Sequence, residues 1–244
     1  MILCIDIGNS TVFMGLLQQG KVLHWVRTPS AALSFDDQIA GFINGLEIEK
    51  VLISSVVPSV TSIVESAVRR LLSLSPLVVK RDLQAPFPIV LDDPSSLGAD
   101  RIADAAGAIH DYKLPVIIID LGTATTFSVI DADGVFRGGT IGPGLLTSFR
   151  AITEKAAQLK NYELQVPEYV IGTNTQNCIN SGIINGHAAM IDGMVQRIIT
   201  ETGAPYQLIL TGGMASTVAP FCRRQLTVDE TLILRGLYYL YKGL

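Results

Sequence analysis

Three carboxylates in this 244-residue chain stand where an acid group can do chemistry as well as solvate a surface. Asp6 ends the apolar run Ile2-Leu3-Cys4-Ile5 and is followed by Ile7-Gly8-Asn9-Ser10-Thr11. Gly8 and Asn9 both tolerate positive φ and are expected to turn the chain tightly into a second strand, Thr11 to Leu17. Such a turn can hold phosphate oxygens on backbone N–H groups, while a carboxylate fixed at a strand end orients a hydrated Mg²⁺. Asp120 repeats the arrangement, ending Ile117-Ile118-Ile119 and leading into Leu121-Gly122-Thr123-Ala124-Thr125-Thr126-Phe127. Asp100 sits beside Arg101 in Gly98-Ala99-Asp100-Arg101, at the expected first turn of a helix, where the dipole favours an anion. A carboxylate there can serve as a base, or it can be the ordinary cap that Asp often supplies.

One Asp-x-Gly turn means little, because many strands end that way. The two copies here match at a constant offset of 114 residues: Ile5 with Ile119, Asp6 with Asp120, Gly8 with Gly122, Thr11 with Thr125 and Phe13 with Phe127. Gly20 and Gly134 match further on, each in a hairpin turn. The pattern reads as a duplicated β-hairpin-β unit, with two phosphate-facing turns meeting across a cleft.

The elements that must position these groups follow from periodicity. Lys21 to Arg27 completes a three-stranded meander, and Ser34 can cap a helix bearing Ile39, Phe42, Ile43 and Leu46. Val51 to Ser55 reads as a buried strand. Pro58 and Ser59 open a helix with Val60, Ile63, Val64, Ala67, Val68, Leu71 and Leu72 on one face, and Leu77 to Lys80 is another strand. That order is the order of a ribonuclease H-like half. The expected fold is therefore α/β, two similar ribonuclease H-like halves of residues 1–114 and 115–244, each a mixed five-stranded sheet flanked by helices. A proline-rich loop through Pro86, Pro88 and Pro94, with an extended piece at Ile89 to Leu91, leads to the helix carrying Asp100. In the second half, Gly138-Gly139-Thr140-Ile141-Gly142-Pro143-Gly144 reads as a glycine-dense turn before a helix from Leu145 to about Leu159. Those glycines suit close approach of a ligand or of the facing half, or a plain helix entry. Asn174 and Thr175 begin a long helix with Ile183, Met190, Ile191, Met194 and Ile198 on its apolar face. Leu208 to Leu210 run into Thr211-Gly212-Gly213, where paired glycines admit a flat adenine and ribose or simply turn the chain. A helix from Thr231 to Leu244 closes the sequence.

Composition bounds the partners. Apolar residues make up 48% and charged residues only 16%, below the roughly 25% usual for soluble domains, so part of the surface is expected under a partner subunit. A net charge of −4 without a basic stripe argues against nucleic acid. Asp6 comes too early for a secretory leader, and no apolar run approaches the roughly 18 residues of a membrane span. Cys4, Cys178 and Cys222 lack metal-ligand spacing, which fits a reduced, cytoplasmic setting. His187 reads as a core or interface histidine, and His24 and His110 suggest no metal site.

The two Asp-x-Gly turns with Thr-Gly-Gly downstream resemble the actin and sugar-kinase superfamily. Within it, the order Asp6-Ile7-Gly8-Asn9-Ser10, Gly98-Ala99-Asp100-Arg101, Asp120 to Thr125, Gly138 to Gly144, Asn174-Thr175 and Leu210 to Gly213 is similar to type III pantothenate kinases over nearly the whole chain. Gly-Ala-Asp-Arg is the specific part. The resemblance implies ATP-dependent phosphorylation of pantothenate with Mg²⁺, a homodimer, and a monovalent cation, K⁺ or NH₄⁺. Carried over by position, it implies that Asp6, Ile7, Gly8, Asn9, Ser10, Thr11, Val12 and Phe13 form an ATP-binding stretch and that Thr123 contacts ATP. It further implies that Gly98, Ala99, Asp100 and Arg101 contact pantothenate with Asp100 as base, that Asp120 binds the cation, and that Thr175 reaches pantothenate from the neighbouring subunit.

Two positions depart from that pattern. Leu91 stands where relatives commonly carry a tyrosine, and Leu159-Lys160 where Leu-Pro is frequent. Another kinase or phosphatase of the superfamily, or a non-catalytic regulator on the same fold, is the alternative; retention of Asp6, Asp100, Asp120 and Thr123 speaks against the regulator.

Overall fold

Residues Ile2–Ile7 form strand β1 with only Asp6 less than buried, and Thr11–Gln18 return antiparallel as β2. The computed structural model describes residues 1–30, 34–155 and 162–243. It divides into two compact units, one of Met1–Tyr112, Gly134–Phe136 and Thr231–Leu244, the other of Lys113–Asp133 and Arg137–Glu230.

In the first unit β3 (Lys21–Pro29) follows β2 through Gln19 and Gly20, whose φ values of 52° and 78° make the mirror-image turn that suits strand twist. Helix α1 (Phe35–Ile43) is capped by Ser34, whose side chain accepts the Asp37 N–H. Then come β4 (Lys50–Ser55), α2 (Pro58–Leu72), with proline at its first position, and the two-residue β5 (Leu77–Val78). The sheet order is β3-β2-β1-β4-β5, antiparallel on the meander side and parallel beyond β1. Strand alternation gives it two faces. Leu3, Ile5 and Ile7 pack with Ile53 under α1 and α2 through Ile39, Val64 and Val68. The face bearing Cys4, Asp6 and Gly15 is covered by α3 (Ala99–Asp111) and α7 (Leu232–Lys242); a Cβ on Gly15 would strike Leu234. The helix-2 stripe is narrower than its spacing suggests, since Ile63 and Leu71 are exposed, and Leu46 lies beyond α1 in solvent.

Helices α3 and α7 cross on glycine. A Cβ on Gly107 would come within 2.7 Å of the Leu232 carbonyl, and one on Gly236 would overlap the Ala103 carbonyl. At the far end of α3, Asp111 accepts from Arg235 Nε and the Tyr239 hydroxyl, each at 2.6 Å, and His110 stacks on Tyr239. The closing helix, placed in the second half by the repeat, thus packs in the first unit.

The second unit contains β6 (Val116–Leu121), β7 (Ala124–Ile130), most of β8 (Phe136–Pro143), α4 (Leu145–Lys155), α5 (Thr175–Thr202), β9 (Gln207–Thr211), the single-turn α6 (Ala215–Val218) and β10 (Thr227–Val228). Its sheet order, β8-β7-β6-β9-β10, repeats the first strand for strand. The expected duplication into two mixed five-stranded sheets is therefore observed. Ile117, Ile119 and Leu121 pack against Ile183, Ile184, Ala188, Ile191 and Ile198 of α5. The apolar face of α5, which by its spacing could also be read as a subunit interface, covers its own sheet instead, and the solvent-facing side carries Gly182, Gly186 and Gly193 with open space around them. The glycine-dense segment is also not a turn but strand β8, in which Gly138 takes φ 119°. The expected end of α4 near Leu159, and Lys160 after it, lie outside the described residues.

Candidate active site

Asp6 stands half-buried at the end of β1, opposite Phe13 on β2 and Ser54 on β4. Three carbonyls of the turn beyond it are engaged. The Gly8 N–H donates to Thr11 O at 2.9 Å, the Ser30 hydroxyl to Gly8 O at 2.7 Å, and the Ser30 N–H to Ser10 O at 3.0 Å. Neither Gly8 nor Asn9 has positive φ, contrary to the expected reason for that dipeptide. Gly8 matters for space instead, as a Cβ there would press within 3.3 Å of Thr11 O. Asn9, Ser10 and Thr11 are exposed, whereas Ile7, Val12 and Phe13 are core residues, able to meet a ligand through their backbone only. The Phe13 ring is pinned by Arg27, whose guanidinium carbon lies 3.7 Å from its centroid, and by the edge-on Trp25.

Asp120 holds the corresponding place on β6, half-buried between Thr126 of β7 and Thr211 of β9. Its carboxylate lies between two glycines. A Cβ on Gly122 would stand 3.4 Å from Oδ2, and one on Gly212, whose φ is 91°, would overlap Oδ1. The Thr123 carbonyl accepts from the Gly144 N–H at 3.1 Å and the Thr147 hydroxyl at 2.6 Å, and Gly144 fits against Gly122 and Thr123 only for lack of a side chain.

The two hairpins are not superposable residue by residue. Asp6 pairs with Phe13, but Asp120 pairs with Thr126, so the second turn is one residue shorter. A slip of one moves every later side chain to the opposite face. Phe13 therefore shares the face of Asp6, while Phe127 enters the core below Ile119 and Leu121. Thr11 is exposed, but Thr125 is fully buried and bonds His187 Nε2 at 2.7 Å. Burial lowers the His187 pKa, which keeps the ring neutral and marks it as a core residue.

Gly98, the N-cap residue of α3, puts Ala99, Asp100 and Arg101 in its first turn. The Asp100 carboxylate folds back over Gly98, and Oδ1 accepts the Arg101 N–H at 2.8 Å. One oxygen thus plays the capping part, and Oδ2 has no hydrogen-bond partner among the described residues. Arg101 lies over the Phe136 ring at 5.2 Å. Burial pulls its pKa down against the opposing pull of Asp100 and Asp104, so the cation is poorly hydrated and suited to an anionic ligand. Lys80, in left-handed conformation after β5, donates to the Ser95 and Leu97 carbonyls at 2.6 and 2.9 Å and ties down the loop into α3. Leu91 is half-buried in that loop. Thr175 is exposed as the first residue of α5, which Asn174 caps through the Asn177 N–H.

Sequence reasoning missed Ser30, Lys80 and Thr147. For Ser30 a signal existed: Pro29-Ser30 and Pro143-Gly144 stand at the same offset of 114, one at the end of β3 and one at the end of β8. Lys80 and Thr147 act through bonds between distant segments, which leave no local pattern.

Comparison with known proteins gives the family. A family model described as type III pantothenate kinase matches residues 2–197. A type III pantothenate kinase of Thermomicrobium roseum is 38% identical, over 99% of this chain and 97% of its own length. One from Pelobacter propionicus is 34% identical over 99% of each. Among solved structures, the inorganic polyphosphate/ATP-glucomannokinase of Arthrobacter sp. strain KM has a TM-score of 0.51 at 15% identity, covering 99% of this chain and 97% of that one. That likeness shows the shared actin and sugar-kinase fold.

Proposed function

The chain belongs to the type III pantothenate kinase family, and from that premise we propose how its residues divide the work. The reaction is ATP-dependent phosphorylation of pantothenate to 4′-phosphopantothenate, the first step of coenzyme A biosynthesis. Asp100 is the general base. A primary alcohol is a weak nucleophile, so a carboxylate must take its proton as the bond to the γ-phosphorus forms. The observation that carries this role is the Asp100 geometry: one oxygen is held by the Arg101 N–H while Oδ2 is left for a hydroxyl. Gly98, Ala99 and Arg101 bind pantothenate alongside it, with Arg101 facing the substrate carboxylate or the transferring phosphoryl group.

Asp6 to Phe13 and Thr123 bind ATP, mainly by backbone donors, since the chain has no Gly-x-x-x-x-Gly-Lys loop. Asp6 is suited to orient hydrated Mg²⁺; the fully buried Ser54 hydroxyl on the adjoining strand has no hydrogen-bond partner among the described residues, as expected beside a polar ligand shell. Asp120 is suited to a monovalent cation as a half-buried carboxylate at a strand end, which Gly122 and Gly212 approach closely without side chains of their own. When bound, the two cations supply the positive charge that an acidic protein lacks for an anionic pair of substrates.

The enzyme acts as a homodimer in the cytoplasm, with Thr175 contributed to pantothenate across the interface and without nucleic acid or membrane partners. The glycine-lined outer side of α5 and the exposed Tyr169, Val170 and Ile171 support such a partner. Among the described residues no helix is long and apolar enough to cross a membrane.

A coupled ADP-release assay with pantothenate, in K⁺, Na⁺ or Tris at fixed Mg²⁺, tests the whole. Turnover should depend on pantothenate and drop sharply without K⁺. ADP release indifferent to pantothenate would refute the activity, and equal rates in all three buffers would refute the role of Asp120.

A further inference from the structure

We propose that Ser30 is the positioning residue of the first phosphate turn, holding Gly8 to Ser10 in the shape that receives the nucleotide's phosphates. The proposal rests on the reading of Asp6 to Phe13 as the ATP-binding stretch. Ser30 follows Pro29, the last residue of β3, which pairs with Thr11 across the sheet. From there it reaches both sides of Asn9, with its hydroxyl on Gly8 O and its N–H on Ser10 O. The peptide plane makes the first bond directional. A trans peptide sets its C=O and N–H on opposite sides, so tying Gly8 O inward turns the Asn9 N–H away from Ser30. Asn9 is exposed, so a phosphate oxygen can approach the donor on the side away from Ser30. Ser30 also adds no negative charge beside the turn.

The second unit carries the same device independently. Gly144 follows Pro143, the last residue of β8, and its N–H donates to Thr123 O. Gly144 has no hydroxyl to offer, and the second bond comes to the same carbonyl from Thr147. The two turns differ in length by one residue, yet each is held from the residue after a strand-ending proline. A latch retained through that change is tied to the turn's task more than to one packing solution.

Ser30→Ala removes the hydroxyl bond and leaves the N–H bond. It should raise KM and Kd for ATP about three- to ten-fold, the range of one lost hydrogen bond, with Kd for adenosine and KM for pantothenate changed less than about two-fold. Ser30→Thr should restore ATP binding. Ser30→Cys, similar in size but a weak donor, should fall between and guards against misfolding of the alanine variant. Unchanged ATP affinity in Ser30→Ala would overturn the proposal. So would a parallel loss of ATP, adenosine and pantothenate binding with a lowered Tm, which would mean general support only. Asp6→Asn separates the proposal from its premise. If that variant weakens ATP binding and Ser30→Ala does not, the latch alone is wrong; if neither does, the nucleotide stretch is wrong and the latch falls with it.

Discussion

At the scale of single residues, the proposed base is a carboxylate with one oxygen held by a neighbouring N–H. In the proposed reading Asp100 combines two roles that sequence alone presents as rivals, because a helix-start carboxylate has two oxygens and the Arg101 N–H engages one of them. Asp100→Asn keeps the shape and the cap but removes basicity. It should lower kcat by roughly 10²–10⁴ while ATP binding, followed by titration, stays near that of the unmodified enzyme. A variant within a few-fold in kcat would leave Asp100 with the cap alone. Gly212 acts through the side chain it lacks, since a Cβ there would overlap the Asp120 carboxylate.

At the scale of elements, α3 carries the proposed base, and α7 is what holds α3. The chain's last helix returns to the first unit and crosses α3 where Gly107 and Gly236 allow backbones to touch, and the Asp111, Arg235 and Tyr239 bonds lock one end. Burial and the Asp111 hydrogen bond push the Tyr239 hydroxyl up to about 12, so it stays protonated and donating through the ordinary pH range. Gly236→Ala would force the helices apart. It should destabilise the protein by about 1–3 kcal/mol in urea denaturation, the usual cost of overpacking. Gly41→Ala, in α1 with nothing near the added methyl, should instead be stabilising by about 0.5–1 kcal/mol. Equal effects of the two substitutions would mean that the crossing is not tight.

At the scale of the whole molecule, the proposal is a two-fold dimer in which Asp100 and Thr175 of one site come from different subunits. Asp100→Asn and Thr175→Arg should each be nearly inactive alone. Refolded together in equal amounts, half the dimers are mixed, and each mixed dimer has one intact site and one doubly altered. Activity should then return to about a quarter of the unmodified level, by the symmetry of the dimer. A mixture that stays inactive, once mixed dimers are seen by mass, would mean that one chain supplies both residues.

The sequence by itself determined the α/β class, the duplication and the identity of the chemical groups. Each of these is written locally: apolar runs ending in Asp6 and Asp120, turns carrying Gly20 and Gly134, and Gly-Ala-Asp-Arg at a helix start. Only the tertiary structure decided where those groups face. The constant offset hides a one-residue slip in strand pairing, and pairing is a property of two strands that neither strand shows alone; it sends Phe127 and Thr125 to the face opposite that of their counterparts. The same holds for the apolar stripe of α5, whose spacing tells that it is covered but not by what. Lys80 and Thr147 stayed hidden because each holds a backbone carbonyl far away in sequence, and a carbonyl is the same at every residue. Folding alone selects which carbonyl lies within hydrogen-bond reach.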